Sequence, residues 1–267
     1  MFDFHADTRV YFDYQTANAV KYVIPFIERT FPLPAGARVL EIGCGEGGVL
    51  RAFIEKGCVG VGVELVESRA ENAKQFLQEF IEQGVCQIFS KNIYDVRDVA
   101  EELGGTFDLI VMKDVIEHIP DQRKLLGVLR NFLKPNGCIY AGFPPWQMPF
   151  GGHQQICQKS RFLAKLPYYH LLPAFLYAWI LRRGGESESV VKDLLEVKDT
   201  GISIERFERI SRQNNYSIQD NIHYFTNPIY EYKFGWKPRH QYAIIRWIPY
   251  FRNFLTSCVY YLIRKES

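Results

Sequence analysis

Val39-Leu-Glu-Ile-Gly-Cys-Gly-Glu-Gly-Gly48 is the stretch on which the fold turns. A short apolar run carries the acid Glu41 to its end, and glycines follow at alternate positions, Gly43, Gly45 and Gly47. Glycine lets the chain turn sharply and leaves bare backbone where a ligand can approach, because no Cβ stands in the way. A helix beginning near Gly47 would offer unpaired N–H groups and the positive end of its dipole. The stretch therefore predicts a strand, a tight loop and a helix around a nucleotide-sized site.

Gly43, Gly45 and Gly48 also satisfy the dinucleotide pattern G-x-G-x-x-G, which alone is weak evidence. Glu41 separates the two readings. A carboxylate at the loop entry suits a cationic ligand and sits poorly against a pyrophosphate. A second acid, Glu64, ends the next apolar run, Val59-Gly-Val-Gly-Val63, where it can accept from both hydroxyls of a ribose. The pair of acids favours S-adenosylmethionine over NAD.

Outward from this loop, apolar runs and helical periodicity alternate. Strands are predicted at 38–42, 59–64, 86–89, 107–112 and 138–143, with helices at 47–56, 68–83, 96–103 and 121–132 between them. In the second of these, Ser68 and Glu71 form a capping-box pattern, Ala73, Phe76, Leu77, Phe80 and Ile81 make the apolar face, and Gly84 ends it. A helix over 15–30, kinked at Pro25, leads in with Val20, Val23, Ile24 and Ile27 on one face. Such alternation implies a parallel sheet covered by helices on both faces. Ligands in such sheets bind beyond the strands' carboxyl ends, where the glycine loop, Glu64 and Asp114 all fall.

The blocks resemble the class I S-adenosylmethionine-dependent methyltransferases, of the broad methyltransferase type 11 group. Val39–Gly47 is similar to the cofactor loop, 62–65 to the ribose-binding strand end, and Lys91-Asn-Ile-Tyr-Asp95 to the adenine-contacting turn. Residues 107–119 resemble the fourth strand with its catalytic-side turn, and 133–140 the turn into the fifth strand; together the blocks cover 35–145. The resemblance implies a doubly wound, mostly parallel, seven-stranded Rossmann-like α/β sheet with an antiparallel last strand, and a helical, aromatic cap inserted in it. It assigns the cofactor to Glu41, Gly43, Cys44, Gly45, Gly47, Glu64, Leu65, Asn92, Ile93 and Lys113. Asn92 stands where the family often has Asp.

The division expected along the chain is 1–145 for the leading helix and cofactor half, 146–200 for the cap, and 201–267 for the closing elements. In the last part, a helix over 203–214 is capped by Ser203, a sixth strand alternates through Ile218, Ile222 and Tyr224, and a closing strand spans 254–263. Aromatic residues concentrate in the cap and in the loop 227–250. A cap packing its own core, a lid over an apolar or sugar-bearing acceptor, and a membrane-surface or homodimer contact are the three readings of that density.

Composition narrows the partners. A formal net charge of +2 with both signs interspersed gives no basic stripe for nucleic acid. Six cysteines, none in a C-x-x-C pair and several inside apolar runs, read as reduced core thiols of a cytoplasmic protein. The first residues lack a signal-peptide pattern, and no run approaches the roughly 18 apolar residues of a membrane span.

Methyl transfer from an activated sulfonium needs mainly alignment and exclusion of water, with a base where the acceptor must lose a proton. His153, His118 and Asp114 are the catalytic candidates, and Glu117 stands beside them. His153 follows two glycines that would let its loop close over the cofactor, whereas His5, His170, His223 and His240 read as surface or locally satisfied residues. Tyr11 and Tyr14 could close over the methionine end of the cofactor. A secondary arrangement places a divalent metal on Asp114, Glu117, His118 and His153. It is similar to that of metal-dependent O-methyltransferases of quinone biosynthesis and of small-RNA 3′ ends, with Asp114 in place of their Glu. The expected activity is O-methylation of a small-molecule, lipid-precursor or saccharide-linked acceptor. An NAD-binding oxidoreductase and a non-catalytic S-adenosylmethionine-binding protein are the alternatives.

Overall fold

The computed structural model describes residues 7–266. His5 lies outside the described residues. Eight strands form one sheet: β1 (Arg38–Ile42), β2 (Val59–Glu64), β3 (Cys86–Ser90), β4 (Phe107–Lys113), β5 (Leu133–Phe143), β6 (Tyr216–Thr226), β7 (Arg239–His240) and β8 (Cys258–Lys265). Their spatial order is β3-β2-β1-β4-β5-β8-β6-β7. The first five pair in parallel, and β8 runs antiparallel to both β5 and β6. The mostly parallel α/β architecture expected from the sequence is present. The strand beyond the expected seven is β7, a two-residue edge pairing with β6 out of the aromatic loop, too short to leave any periodicity. Strand order reverses between β2-β1 and β4, so the crevice at the carboxyl ends of β1 and β4 is the switch point where ligands bind in such sheets.

The leading helix starts earlier than its apolar stripe suggests. Asp7 caps α1 (Thr8–Asn18) by accepting from Arg9 and Val10 N–H, and a π turn over Ala19–Val23 joins it to α2 (Ile24–Glu28). The π turn precedes Pro25, whose missing N–H and bulky ring cannot continue a regular α-helical ladder. The wider turn also breaks the expected face: Val23, Ile24 and Ile27 are buried, while Val20 is exposed.

Between the strands run α3 (Gly48–Glu55), α4 (Glu67–Phe76), α5 (Gln78–Glu82), α6 (Val99–Leu103) and α7 (Gln122–Leu129). The expected helix over 68–83 is thus two helices meeting at Leu77, and it starts at Glu67 after Val66. Ser68 lies inside the first turn and makes no cap, so the capping-box reading is corrected; Glu71 instead pairs with Lys74. Ala73 and Leu77 are buried against α3 and β3 as expected, and Gly84, at φ +75°, ends the segment.

Three further helices, α8 (Arg161–Lys165), α9 (Ala174–Arg183) and α10 (Glu188–Thr200), follow β5. They enclose a small apolar core of their own around Leu163, Tyr169, Tyr177, Leu181, Val191 and Leu194. Residues 182–189 are the end of α9, a turn, and the first residues of α10. Ser203 caps α11 (Ile204–Gln213) by accepting from Arg206 N–H, and Phe207 and Ile210 turn inward. After β6 come α12 (Tyr230–Phe234) and α13 (Ala243–Arg246). The closing strand begins at Cys258 rather than at 254. Residues 251–255 form a 3₁₀ turn that wraps the start of α11, where Asn253 accepts from Ile204 N–H at 2.8 Å and Arg252 pairs with Glu205 at 2.8 Å. Among the described residues, no helix is long and apolar enough to cross a membrane.

Gly48 owes its identity to packing. A Cβ there would run into the Phe12 carbonyl oxygen and stand 2.9 Å from Gln15 Cβ, because α1 crosses directly over the start of α3. Thr16 Oγ1 fastens the crossing by donating to the Gly48 carbonyl at 2.8 Å. The third glycine of the dinucleotide pattern is therefore a helix-crossing residue. Gly48→Ala is expected to cost about 1–3 kcal/mol by overpacking, read as a lower thermal midpoint. An unchanged midpoint would show that α1 does not bear on α3 in solution.

Candidate active site

The glycine loop turns on left-handed residues: Gly43, Gly45 and Gly47 have φ of +63°, +54° and +86°. Glu64, at the end of β2, holds the loop in place. One carboxylate oxygen accepts from Gly45 N–H at 2.8 Å and the other from Val66 N–H at 3.0 Å. Above Gly45 lies the Arg69 guanidinium, which ion-pairs with Glu46 at 3.0 Å and stands where a Cβ on Gly45 would go.

The loop opens on a cavity of about 180 Å³, lined by Tyr11, Gln15, Glu41, Gly43, Cys44, Gly45, Arg69, Lys113 and Asp114, among others. A larger open groove of about 610 Å³ lies along β3, between Lys74, Gln78, Ile81 and Phe89, and none of the candidate catalytic groups lines it. In the smaller cavity Glu41 is buried, and one of its oxygens has no partner among the described residues. Burial pushes its pKa up to about 8, with Lys113 opposing. Lys113 donates to Asp114 at 2.6 Å. Burial works against this ammonium, but the Asp114 carboxylate outweighs it and holds the pKa above the ordinary lysine value. Asp114 is likewise disfavoured by burial and, with Lys113 prevailing, ends below the ordinary carboxylate range.

On the acceptor side, the turn after β4 carries Glu117 and His118. Thr200, at the end of α10, donates to the Glu117 carbonyl at 2.6 Å, and Gln122 Nε2 donates to the carbonyls of Ile116 and Thr200. The last turn of the cap thereby sets the position of this loop. His153, in the left-handed region at φ +55°, arrives from the loop after β5 with its ring 4.8 Å from that of His118. The two glycines before it are closely packed, Gly151 on the Trp146 carbonyl and Gly152 on His170. Glu117 is buried, neither of its oxygens has a partner among the described residues, and burial drives its pKa well above the usual value. The ligand-capable atoms of Glu117, His118 and His153 all lie within 4.8 Å of one another. Burial lowers the pKa of His118, and lowers that of His153 to about 4, where the neighbouring His118 adds to the effect. Both imidazoles are neutral near pH 7.

Of the sequence candidates, Glu41, Gly43, Cys44, Gly45, Lys113 and Asp114 line the cavity, with Gly47 and Glu64 shaping its floor. Leu65 is exposed just beyond Glu64, and Ile93 is buried. Asn92 spends its side-chain oxygen on Tyr94 N–H, capping a 3₁₀ turn. His118 and His153 come together. Asp114 does not join them: its carboxylate turns to Lys113 and is absent from the three-residue cluster. Sequence reasoning missed Gln15, Arg69 and Lys233. Lys233, on α12, stands 5.0 Å over the Tyr11 ring, and burial lowers its pKa to about 8 against the pull of Asp114. Only the docking of α12 on α1 brings it here; five residues after Glu64, Arg69 alone left a positional signal.

A family model described as a methyltransferase domain matches residues 14–143. A ubiquinone biosynthesis O-methyltransferase from Xanthomonas axonopodis pv. citri is 29% identical over 171 residues, spanning 61% of this chain and 68% of that protein. The enzyme of the same description from Pseudomonas aeruginosa strain LESB58 is 29% identical over 106 residues, 40% of this chain and 44% of its own length. Among solved structures, geranyl diphosphate C-methyltransferase from Streptomyces coelicolor A3(2) superposes with a TM-score of 0.57 at 14% identity, covering 94% of this chain and 80% of that one. The plantazolicin methyltransferase BpumL gives 0.53 at 12% identity, covering 99% and 87%. Sheet order, glycine loop and paired acids together define a Rossmann-like methyltransferase. Residues 14–143 match a methyltransferase domain, and the glycine loop with its two buried acids suits S-adenosylmethionine better than NAD.

Two measurements test the cofactor side. Glu64→Ala is expected to weaken cofactor affinity by about 1.5–3 kcal/mol and to loosen the loop, seen by calorimetry. At pH 7 Glu41 is largely protonated, and a cationic ligand favours its ionised form. Binding should therefore release protons, detected as a heat that varies with buffer ionisation enthalpy. Equal release by the wild type and Glu41→Gln would remove Glu41 from that role.

Proposed function

We propose that this methyltransferase acts on a hydroxyl oxygen of a small-molecule, lipid-precursor or saccharide-linked acceptor. The observation that carries the reading is the His118–His153 pair, two neutral imidazoles set beside the strand end whose Asp114 lines the cofactor cavity. An oxygen nucleophile must shed a proton as it meets the methyl group, and a neutral imidazole can take it. His118 reaches solvent and can pass the proton on; the more enclosed His153, held to about 4, serves as a hydrogen-bond acceptor that orients the hydroxyl. Lys113, tied to Asp114, keeps the cavity polar where the amino-acid end of the cofactor would lie. The names of the quinone-biosynthesis relatives support transfer to oxygen. The reading includes peripheral contact with a lipid surface, which would keep a poorly water-soluble acceptor near the enzyme.

A second reading adds a divalent metal held by Glu117, His118 and His153. The donor set fits, since a buried carboxylate with two unpartnered oxygens faces two neutral imidazoles. Such an ion would lower the pKa of an acceptor oxygen by Lewis acidity.

Turnover against pooled cell extract with methyl-labelled cofactor would identify the acceptor and the atom methylated. His118→Ala and His153→Ala are each expected to reduce kcat about 10²–10⁴-fold while leaving S-adenosylhomocysteine affinity unchanged. In the wild type, kcat/KM should fall as pH drops and the imidazoles protonate, and His118→Ala should lose that limb. N- or C-methylated product would overturn the oxygen reading. Full activity after exhaustive chelation, with no metal-binding heat that depends on Glu117, would overturn the second reading and leave the histidines as bases.

A further inference from the structure

From Tyr232 to Lys265 the chain carries seven Lys and Arg and not one Asp or Glu. Within it, every residue from Tyr242 to Phe251 is exposed except Ile245, which is half-buried. Single exposed apolar side chains are ordinary, but a contiguous run is not. Here Ile244 is 73% and Trp247 82% exposed, flanked by Tyr242 and Tyr250. The segment is no loose tail. Buried Gln241 donates to the Leu255 carbonyl at one end, and buried Asn253 donates to Glu205 at 2.7 Å at the other. The acids of α11 are taken up by Arg252, whereas Lys237, Arg239 and Arg246 remain exposed, Arg246 resting on the neutral Asn221. The first part of the cap repeats the composition: 144–185 holds five Lys and Arg and no acid, whereas the acids of the cap begin at Glu186, and Phe175 and Trp179 are exposed on α9. Tyr168 joins the two regions by donating to the Phe254 carbonyl at 2.9 Å.

We propose that the 236–251 face, with the adjoining cap, docks on an anionic phospholipid surface. Aromatic and aliphatic side chains interleaved with cations match the layering of a bilayer interface, where rings settle at headgroup depth and Lys and Arg meet lipid phosphates. A second copy of the chain fits less well, because a twofold contact through this face would set its cations against their own symmetry mates. The proposal names the face for the lipid contact included in the functional reading above; it does not depend on the identity of the acceptor.

The test is flotation of the full chain, saturated with S-adenosylhomocysteine, with vesicles of phosphatidylcholine alone and of phosphatidylcholine with phosphatidylglycerol. Binding is expected to the anionic vesicles and to weaken with salt. The triple variant Lys237→Gln, Arg239→Gln, Arg246→Gln should bind on the order of a hundredfold more weakly. Ile244→Ser with Trp247→Ser should lose binding at any salt, and both variants should keep the thermal midpoint and S-adenosylhomocysteine affinity of the wild type. Failure to float with anionic vesicles, or flotation unchanged in both variants, overturns the proposal. So does a dimer in light scattering that the Ile244/Trp247 variant converts to monomer, which would assign the face to a second copy. Vesicle binding without methyl transfer to any acceptor would count against the functional reading and leave this one standing.

Discussion

Two hydrogen bonds to one carboxylate set the floor of this enzyme. Glu64 ties Gly45 of the loop after β1 to Val66 at the start of the next crossover, so the two strand ends that must share a cofactor are fixed against each other. Charged acceptors make the stronger class of hydrogen bond, and the carboxylate is buried, so water competes little for these donors. Much else follows from the loop's position. Gly47 opens α3, α1 crosses over Gly48, and Tyr11 and Gln15 are thereby carried to the cavity rim. Moving the loop would move all of these groups together.

Around that floor, charge is buried more heavily than stability alone would favour. Lys113 and Asp114 compensate each other, but Glu41 and Glu117 retain unpartnered oxygens, and unpaired buried polar groups are costly. Burial raises the pKa of both, which favours their protonated forms over a bare buried charge. Such groups cluster where a ligand is to supply the missing partner. Glu41 is placed to meet a cation on the cofactor side, and Glu117 lies on the acceptor side within 4.8 Å of two imidazoles.

The cap and the C-terminal elements reach the site by different routes. The end of the cap contributes through Thr200, whose hydroxyl donates to the Glu117 carbonyl and whose own carbonyl accepts from Gln122 of α7, clamping the turn that bears Glu117 and His118. α12 contributes side chains, held on α1 by the Tyr232 hydroxyl bond to the Ala17 carbonyl and on the following π turn by Lys21 with Glu231. The cap exposes Phe175 and Trp179, and the chain beyond α12 exposes Trp236, Ile244 and Trp247, so the segments next to the acceptor side carry much of the exposed aromatic surface.

Local pattern by itself determined the parallel core and the cofactor loop. Strand and helix periods, alternate glycines and the acids Glu41 and Glu64 are features of contiguous sequence, and the backbone geometry they require is local. Ser203 capping α11 was legible for the same reason. Ser68 was misread because a cap depends on where the preceding strand releases the chain, which the motif does not encode. The closing strand was placed four residues early, since Arg252 and Asn253 are drawn to Glu205 on a distant helix. Only tertiary structure decided the acceptor side. His118 and His153 are 35 positions apart by number, Asp114 could turn to Lys113 or to them, and Lys233 arrives from the far end of the chain. Long-range contacts follow from how whole elements pack, and no spacing in the sequence records which side chains that packing brings face to face.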